Sequence, residues 1–342
     1  MTWESLDWEV LDRLRETFLT DERKAGPYWH TITDLECYDF TYGERIGWKW
    51  DAVLRELRLR GWLPPAGASV LDWGCGSGIA GRRVVDFFGA DPFSRLLLHD
   101  HSNLALDYAG HRAQQAFPDL MVERAGPRFL RSDEPIGLLV VSHVLNELDE
   151  NGHAELRALT ARASAVLWVE PGTHEVSRDL VGWRESARAA GFNVVAPCTH
   201  AAPCGLLAPG NERHWCHFFA APPPGVHADS GWVKFGQRAG IDLRALPYSF
   251  LVLDRPSPRL RPTSRRAETE AGEDSLGRIL GAPRLYKGYA KIFGCDADGV
   301  RELMLQKRDD PAAFKSLTRE SDPGIYRWSV EGDRIKSIQP AP

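Results

Sequence analysis

Three glycines occur at alternating positions directly after a short apolar run: Gly74, Gly76 and Gly78. Glycine adopts backbone angles that are closed to other residues, and it leaves room for a ligand to approach the main chain. Residues 70–73, apolar except for Asp72, read as a short buried strand and residues 79–88 read as a helix, as in a nucleotide-binding α/β unit. The loop therefore predicts a ligand-binding site, although an ordinary tight turn has a similar composition.

Acidic residues next to this loop limit the choice of ligand. A dinucleotide fingerprint has the spacing G-x-G-x-x-G, whereas here the spacing is G-x-G-x-G, Asp72 precedes the first glycine by two residues, and the next apolar run ends at Asp100. This pattern resembles the S-adenosylmethionine loop of class I methyltransferases. In that resemblance Asp72 faces the ammonium end of the cofactor and Asp100 holds its ribose hydroxyls. The implied cofactor-binding residues are Asp72, Gly74, Gly76, Gly78, Asp100 and Ser102.

A set of polar residues follows the apolar run at 136–141. In open parallel sheets ligands bind at the carboxyl ends of the strands, so these side chains are candidates for a reaction pocket. Asn146 fits a second role equally well, as the cap of the following helix. The chain has no Asn-Pro-Pro-aromatic run of the kind that amino-directed methyltransferases use, so the catalytic residues stay unknown. The pocket candidates are Ser142, His143, Asn146 and Glu147.

Three of the six cysteines fall within nineteen residues, among prolines and histidines, at Cys198, Cys204 and Cys216. A chain without a secretory signal is expected to keep its cysteines reduced, so clustered thiols are candidates for metal binding. Thiolates gathered on loops suit zinc or an iron–sulfur cluster. As the fourth ligand we expect Cys295, in a β-like hairpin, rather than His200 or His217. The residues alone leave zinc and a cluster both open.

Composition and charge place further limits on function. The chain has 342 residues, 43% of them hydrophobic, and no apolar run near the ~20 residues needed to cross a bilayer. Its N-terminus lacks the features of a secretory or organellar signal, so we expect a cytoplasmic protein. The formal net charge is −5, yet residues 232–317 contain 16 Lys and Arg against 11 Asp and Glu. A locally basic region is compatible with RNA contact and equally with a solvated surface.

Apolar periodicity divides the chain into regions. Residues 1–66 show helical spacing, and from 67 onward strands and helices alternate in the pattern of a parallel sheet covered by helices. We predict an α/β, class I S-adenosylmethionine methyltransferase (Rossmann-like) fold with N-terminal helices, a cysteine-rich metal-binding insert and a small C-terminal β unit. The predicted domains are a helical region at 1–66, the methyltransferase domain at 67–255 with the insert at 197–237, a linker at 256–275, and the small β unit with a tail at 276–342.

An ordered series of short motifs runs along the chain. Besides the loop at 72–78 it comprises the stretches at 142–148, 169–173, 196–200, 203–204, 215–218 and 248–253. In this order the motifs resemble the Rsm-type methyltransferase-like proteins of the small ribosomal subunit, found in bacteria and as mitochondrial assembly factors, over residues 67–308. The resemblance implies a [4Fe-4S] cluster in preference to zinc, held by Cys198, Cys204, Cys216 and Cys295.

The resemblance also implies a function and a partner. We expect an S-adenosylmethionine-dependent methyltransferase-like protein that carries the cluster and acts on small-subunit ribosomal RNA or in small-subunit assembly, without membrane contact. One alternative is a non-catalytic assembly factor that uses cofactor and cluster structurally. Another is a small-molecule methyltransferase with a zinc-stapled insert. Contacts to RNA are expected chiefly from Arg255, Arg259, Arg261, Arg265, Arg266, Lys287 and Lys291.

Overall fold

The structure is a computed structural model that describes residues 1–20, 26–255, 275–317 and 324–341. Within the described residues the chain forms two compact units. The first unit comprises Met1–Leu54, Leu63–Glu170 and Ala220–Leu246, and the second comprises Arg55–Trp62, Pro171–Phe219 and Pro247–Pro342. Neither unit is therefore a single stretch of chain. The predicted linker at 256–275 lies outside the described residues except for its last residue.

The N-terminal part of the chain is helical, as its apolar spacing predicts. α1 (Trp8–Leu19) begins after Asp7, whose side chain accepts hydrogen bonds from the first turn. α2 (Ile32–Tyr38) begins with a capping box at Thr31, and a short π-helical turn leads from it into α3 (Glu44–Leu59). Side-chain caps of this kind satisfy backbone donors that a helix leaves unpaired at its start. None of the helices among the described residues is long and apolar enough to cross a membrane.

A parallel sheet forms the centre of the first unit. Its strands are β1 (Ala68–Trp73), β2 (Phe93–His99), β3 (Val122–Arg124), β4 (Ile136–Ser142) and β5 (Ala163–Pro171). They pair in the order β3-β2-β1-β4-β5, and every neighbouring pair is parallel. The connecting helices are α4 (Ile79–Phe88), α5 (Asn103–Ala116), α6 (Pro127–Leu130) and α7 (Glu150–Arg162). The alternation confirms the predicted Rossmann-like α/β fold, because parallel neighbours need crossover connections that helices supply.

The middle strands of this sheet are buried along nearly their whole length. Leu138, Val140, Val166 and Leu167 are fully buried, which is typical of parallel strands covered on both faces. Gly137 allows β4 to approach β1 closely, since a Cβ atom there would lie 2.6 Å from the Cα atom of Ala68. The carboxyl ends of β1, β2, β4 and β5 are therefore held at one edge of a rigid sheet.

The second unit contains a helix, short strands and the loops that carry three of the predicted metal ligands. These elements are α8 (His174–Ala189), β6 (Asn193–Ala196), β7 (Phe218–Ala220) and β8 (Leu246–Asp254). β8 pairs with β6 in the antiparallel sense and also with β7. Residues 197–217, between β6 and β7, are irregular apart from a single 3₁₀ turn. The remaining helix before β8, α9 (Ser230–Ala239), belongs to the first unit.

A closed barrel lies where the sequence predicts a small β unit. Its strands are β9 (Ser275–Leu285), β10 (Tyr289–Asp296), β11 (Gly299–Gln306), β12 (Ile325–Glu331) and β13 (Arg334–Pro340), with α10 (Pro311–Ser316) after β11. They close in the order β10-β11-β13-β12-β9. The barrel is filled by apolar side chains around Trp328, which is fully buried. Gly277 makes room for this indole, because a Cβ atom would lie 1.9 Å from its ring.

Candidate functional site

The glycine loop joins β1 to α4, and the surroundings of its three glycines differ. All three have left-handed backbone angles, with φ of 70° at Gly74, 52° at Gly76 and 76° at Gly78. A Cβ atom at Gly74 would lie 2.7 Å from Val144, and one at Gly78 would lie 2.8 Å from Ala109. At Gly76 no atom lies within 4 Å of that position. The outer glycines therefore allow close packing, while the middle one borders open space that a ligand can enter.

Asp100 lies beside the open glycine, directly after β2. One carboxylate oxygen accepts a hydrogen bond from the Gly76 N–H at 2.9 Å and the other accepts from the Ser102 N–H at 2.8 Å. Each oxygen keeps a further lone pair for another donor. The Ser102 hydroxyl caps α5 by accepting from the N–H of Ala105. The two acidic positions predicted to bind a cofactor thus differ, because Asp100 is partly exposed and Asp72 is not.

Asp72 is fully buried at the end of β1. Its Oδ2 atom accepts a hydrogen bond from the Gly81 N–H at 2.9 Å, and its Oδ1 atom has no partner among the described residues. A Cβ atom at Gly81 would lie 2.7 Å from Oδ2, so the glycine permits this contact with the first turn of α4. Burial raises the pKa of Asp72 to about 7. The expected contact between Asp72 and a cofactor ammonium group stays a prediction.

A polar cluster follows β4, at the strand end where the sequence predicts a pocket. The Lys49 Nζ atom lies 3.1 Å from the His143 Nε2 atom, and the Ser142 hydroxyl lies 3.3 Å from His143 Nδ1. The Trp50 indole N–H donates to the Ser142 hydroxyl at 3.0 Å. His143 has a φ of 57°, the only positive value for a non-glycine among the described residues. Such a conformation costs on the order of 1–3 kcal/mol and persists where neighbouring contacts hold it.

Charges inside this cluster are strongly perturbed. Burial, followed by the charge of Arg45, lowers the pKa of Lys49 to about 7. Burial and the charge of Lys49 hold the pKa of His143 well below its usual value. Burial raises the pKa of Glu170, at the end of β5, to about 7. At neutral pH the cluster therefore combines a neutral imidazole with an amine that gains and loses a proton, which are properties of general acid–base groups.

The sequence predicted part of this cluster and missed the rest. The structure brings Ser142 and His143 together, as the sequence predicts, whereas Lys49 could not be predicted because nothing in the sequence of its own helix marks it.

The other two pocket candidates have different surroundings. Asn146 lies in a 3₁₀ turn, and α7 is capped instead by Asp149, which accepts from a backbone N–H at 2.7 Å. The alternative role of Asn146 as the helix cap was therefore wrong. Burial raises the pKa of the Tyr28 and Tyr38 hydroxyls, and the negative charge of Glu147 raises both pKa values further.

A cavity of about 690 Å³ lies elsewhere in the first unit. Its lining includes Asp39, Arg82 and Tyr108 and none of the glycine-loop residues at 74–78. The Asp39 carboxylate accepts hydrogen bonds from Arg82 at 2.7 and 2.8 Å, from the Ser77 hydroxyl at 2.7 Å and from the Tyr108 hydroxyl at 3.1 Å. The buried charge beside this cavity is thus already neutralised within the chain.

The second unit brings the four predicted cysteine ligands together. Cys198 and Cys204 follow β6, Cys216 precedes β7, and Cys295 lies in β10. Burial raises the pKa of Cys216 well above its usual value, and the charges of the other three thiols raise it further. The pKa of Cys295 is raised by burial and then by Cys198 and Cys204. Thiols that influence one another in this way lie in one neighbourhood, although they come from distant parts of the sequence.

The geometry of these thiols bears on which metal they suit. Among the described residues, no group of three or more Cys, His, Asp or Glu side chains converges closely enough to hold a single metal ion. All six cysteines are free. Four thiolates are a donor set for zinc or for a cubane iron–sulfur cluster. The expected metal site therefore stays a prediction, and the choice between the two metals with it.

Two adjacent residues of α8 hold the loop that carries the first two cysteines. Arg184, which is 3% exposed, donates from Nε to the Cys198 sulfur at 3.2 Å and from Nη2 to the Ala202 carbonyl at 2.9 Å. Its neighbour Glu185 forms an ion pair with it and accepts from the Cys204 N–H at 3.2 Å. Nothing in the sequence of α8 marked this pair for the role.

The basic residues expected to contact RNA are only partly described. The guanidinium of Arg255 lies 4.1 Å from the centre of the Phe192 ring. Lys287 is exposed on the loop between β9 and β10, and Lys291 pairs with Glu302 at 2.6 Å. The other four residues lie outside the described part of the chain: Arg259, Arg261, Arg265 and Arg266.

A family comparison covers both units. The sequence model of the family "Mitochondrial small ribosomal subunit Rsm22" matches residues 51–320. The chain belongs to the Rsm22 family. The matched region includes the glycine loop, the end of β4 and all four clustered cysteines, so the resemblance found in the motifs is confirmed. The family's description does not confirm the expected cytoplasmic location, which stays a prediction.

Solved structures similar to this Rsm22 family member are distant. A magnesium protoporphyrin IX methyltransferase from Synechocystis PCC 6803 is 15% identical, with 73% of this chain and 95% of that chain covered and a TM-score of 0.39. A precorrin-6y C5,15-methyltransferase from Geobacter metallireducens GS-15 is 12% identical, with 60% and 87% covered and a TM-score of 0.36. No curated protein matches the chain. The fold assignment therefore rests on the order of the strands themselves.

Proposed function

We propose that this protein binds S-adenosylmethionine and a [4Fe-4S] cluster and acts on small-subunit ribosomal RNA or in assembly of the small ribosomal subunit. The observation that carries the proposal is the glycine loop, whose middle residue Gly76 borders open space beside the partly exposed carboxylate of Asp100. Membership of a family described as belonging to the mitochondrial small ribosomal subunit supports the partner.

The cofactor would lie along the loop at Gly76. Asp100 holds the loop through the Gly76 N–H and has lone pairs left for the ribose hydroxyls. S-adenosylmethionine, when bound, supplies an electrophilic methyl group. Since it carries no phosphate, it does not require the row of helix N-terminal amides that a dinucleotide loop presents. The G-x-G-x-G spacing agrees with this difference.

The polar cluster after β4 would remove a proton from the atom that accepts the methyl group. A methyl transfer needs the acceptor atom placed in line with the methyl group and, where necessary, a proton removed. His143 is neutral at physiological pH, and Lys49, with a pKa of about 7, exchanges a proton there. The Ser142 hydroxyl lies at Nδ1 of His143 and the Lys49 amine at Nε2, so a proton that the hydroxyl takes from the methyl acceptor and passes to Nδ1 can leave from Nε2 to the neutral amine. The Trp50 indole N–H donates to the Ser142 hydroxyl and so fixes it next to Nδ1 of the imidazole.

The four cysteines of the second unit would hold the cluster. The donor set supports this assignment, since four thiolates from Cys198, Cys204, Cys216 and Cys295 match the ligands of a [4Fe-4S] cluster. Three of them come from the loops between β6 and β7 and one from the barrel strand β10. Because such sites do not exist in an unfolded chain, binding free energy becomes folding free energy. The cluster would therefore stabilise these loops against the barrel.

Calorimetric titration with S-adenosylmethionine tests the cofactor site. Asp100→Ala should weaken binding by about 1.5–3 kcal/mol, or roughly tenfold or more, because it removes charge-assisted hydrogen bonds. Asp119→Ala is the matched control, since Asp119 is an exposed aspartate outside the loop. Equal binding by wild type and Asp100→Ala would remove Asp100 from the site, and no binding by the wild type would overturn the cofactor assignment.

The same variants separate an enzyme from a structural assembly factor. Mass-spectrometric mapping of small-subunit ribosomal RNA should show a methyl group that depends on the wild-type chain and is lost with Asp100→Ala. Normal subunit assembly with no methyl group dependent on the chain would favour the non-catalytic alternative. Unchanged ribosomal RNA and unchanged assembly after deletion of the chain would favour a small-molecule methyltransferase.

A further inference from the structure

The strand order of the C-terminal barrel identifies its topology. β9 pairs with β10, β10 with β11, β11 with β13 in the parallel sense, β13 with β12, and β12 with β9. Numbered from the start of the barrel, the described strands close in the order 1-2-3-5-4-1, with a short helix, α10, between the third and fourth. This is the topology of the OB-fold, a Greek-key barrel that binds oligonucleotides on the face of its second and third strands and on adjoining loops.

One end of that face is already covered within the second unit. Cys295, on the second barrel strand, lies among the other three clustered thiols. Phe293, two residues earlier on the same face, stacks on His214 with ring centres 4.1 Å apart. Gly205 lies against the start of the third strand, where a Cβ atom would be 2.8 Å from the Val300 nitrogen. The cysteine loops therefore close the end of the face that is nearest to Cys295.

The opposite end of the face leads to the hairpin between β9 and β10. There the rings of Tyr286 and Tyr289 stack with centres 4.6 Å apart and planes 12° apart. The Tyr286 N–H donates to the Tyr289 carbonyl at 2.8 Å, which fixes the spacing of the two rings. Tyr286 is 44% exposed and the neighbouring Leu285 is 45% exposed. A rigid aromatic pair with an exposed ring is a stacking platform for a planar group.

Positive charge surrounds this aromatic pair. Lys287 lies between the tyrosines and is exposed. The Lys307 N–H donates to the Gly288 carbonyl at 3.0 Å, so the end of β11, with Lys307 and Arg308, lies against the hairpin. The side chain of Arg308 is 75% exposed, and that of Arg284, the penultimate residue of β9, is 60% exposed. Glu302 pairs with Arg284 and Lys291, and Asp309 lies beside Arg308. Among the described residues no ion pair involves Lys287 or Lys307, so these two lysines keep their positive charge available beside the tyrosines.

We propose that the β9–β10 hairpin of this OB-fold barrel binds single-stranded RNA. An unpaired base stacks on the exposed ring of Tyr286, and phosphates contact Lys287 and Lys307. Base stacking on an aromatic side chain requires an unstacked base, so the surface selects single strands over duplexes. The proposal rests on the RNA-directed part of the proposed function and adds where the RNA is held and in what form.

Fluorescence anisotropy with the full chain tests the proposal. The probes are a fluorescein-labelled uridine oligonucleotide of about twelve nucleotides, a length within the range of an OB-fold site, and a hairpin duplex of the same length. Tyr286→Ala should weaken binding of the uridine probe about tenfold, while Tyr286→Phe should bind like the wild type because the ring is kept. Phe219→Ala is the matched control, since Phe219 is 41% exposed and lies outside the barrel.

Salt dependence provides a second readout. Lys287→Gln should reduce the slope of log affinity against log salt by about 0.7, the value for one phosphate contact on a single strand. Equal affinity of wild type and Tyr286→Ala for the uridine probe would overturn the hairpin site, as would equal binding of the duplex. If the wild type bound neither these probes nor a small-subunit RNA fragment, the RNA-directed part of the proposed function would fail with it.

Discussion

Arg184 brings a positive charge to the sulfur of Cys198 from a position that solvent hardly reaches. Hydrogen bonds to the sulfurs of an iron–sulfur cluster are among the factors that set its reduction potential. A donor stabilises the more negative, reduced form, so its removal makes reduction harder. Arg184 would therefore be a positioning and tuning residue, because its other hydrogen bonds go to two carbonyls of the same loop and to the Glu185 carboxylate.

Arg184→Gln should shift the midpoint potential of the cluster to more negative values while most of the iron is retained. The matched control is Arg178→Gln, since Arg178 also lies on α8 and holds the cysteine loops. It donates to the carbonyls of Leu206, Asn211 and His214 at 3.1, 3.2 and 3.0 Å, and within the described part of the chain it has no hydrogen bond to sulfur. Redox titration followed by electron paramagnetic resonance measures the potential. Identical potentials in the two variants would show that Arg184 acts only through the loop's shape.

The end of β5 supports the turn that follows β4 through one side chain. Glu170 Oε1 accepts from the Trp168 indole at 2.7 Å and from the N–H groups of Val144 and Leu145 at 3.2 and 3.3 Å. Burial raises the pKa of Glu170 from 4.5 to about 7, against the opposing charge of Lys49. Between these two pH values the folded chain keeps the proton and the unfolded chain has lost it. The stability of the folded state therefore falls as pH rises from about 4.5 to about 7.

Glu170→Gln removes this titration and keeps an oxygen for the three donors. Relative to the wild type, the variant should gain stability as pH rises from about 4.5 to about 7, by roughly 1–3 kcal/mol, and the difference should be constant above pH 7. Glu134→Gln, at a side chain that is 47% exposed, serves as the control. Thermal unfolding at several pH values gives the comparison. If the difference in stability between Glu170→Gln and the wild type did not vary with pH, the assigned pKa of Glu170 would be contradicted.

Features that depend on neighbours along the chain could be predicted from the sequence. The glycine loop, the strands before it and after it, and the three clustered cysteines all follow from local composition and spacing. Lys49 and Arg184 could not be predicted, because each acts on a residue that only folding brings near. The topology of the barrel could not be predicted from the sequence for the same reason. Its strands have a local signal, but their pairing order depends on contacts such as Met304 with Arg334, far apart in sequence.

Each unit of the molecule carries its own candidate chemistry. The first holds the glycine loop and the polar cluster, and the second holds the four thiols and the OB-fold barrel. The family match spans residues from both units, so family membership is not a property of the parallel sheet alone. Within the second unit, Cys295 is the one clustered thiol that the barrel contributes. The cluster assignment therefore makes a claim about how the whole second unit is held together.

Metal content of anaerobically purified protein tests that claim most directly. We expect brown wild-type protein with broad absorption near ~400 nm and roughly four irons per chain. Cys295→Ser should lose the iron and make the region after Asp254 sensitive to protease, since the metal then no longer joins the loops to the barrel. Cys37→Ala, at a buried cysteine of the first unit, should keep its iron. Colourless wild-type protein with one zinc ion, or a Cys295→Ser variant that keeps its cluster, would contradict the account.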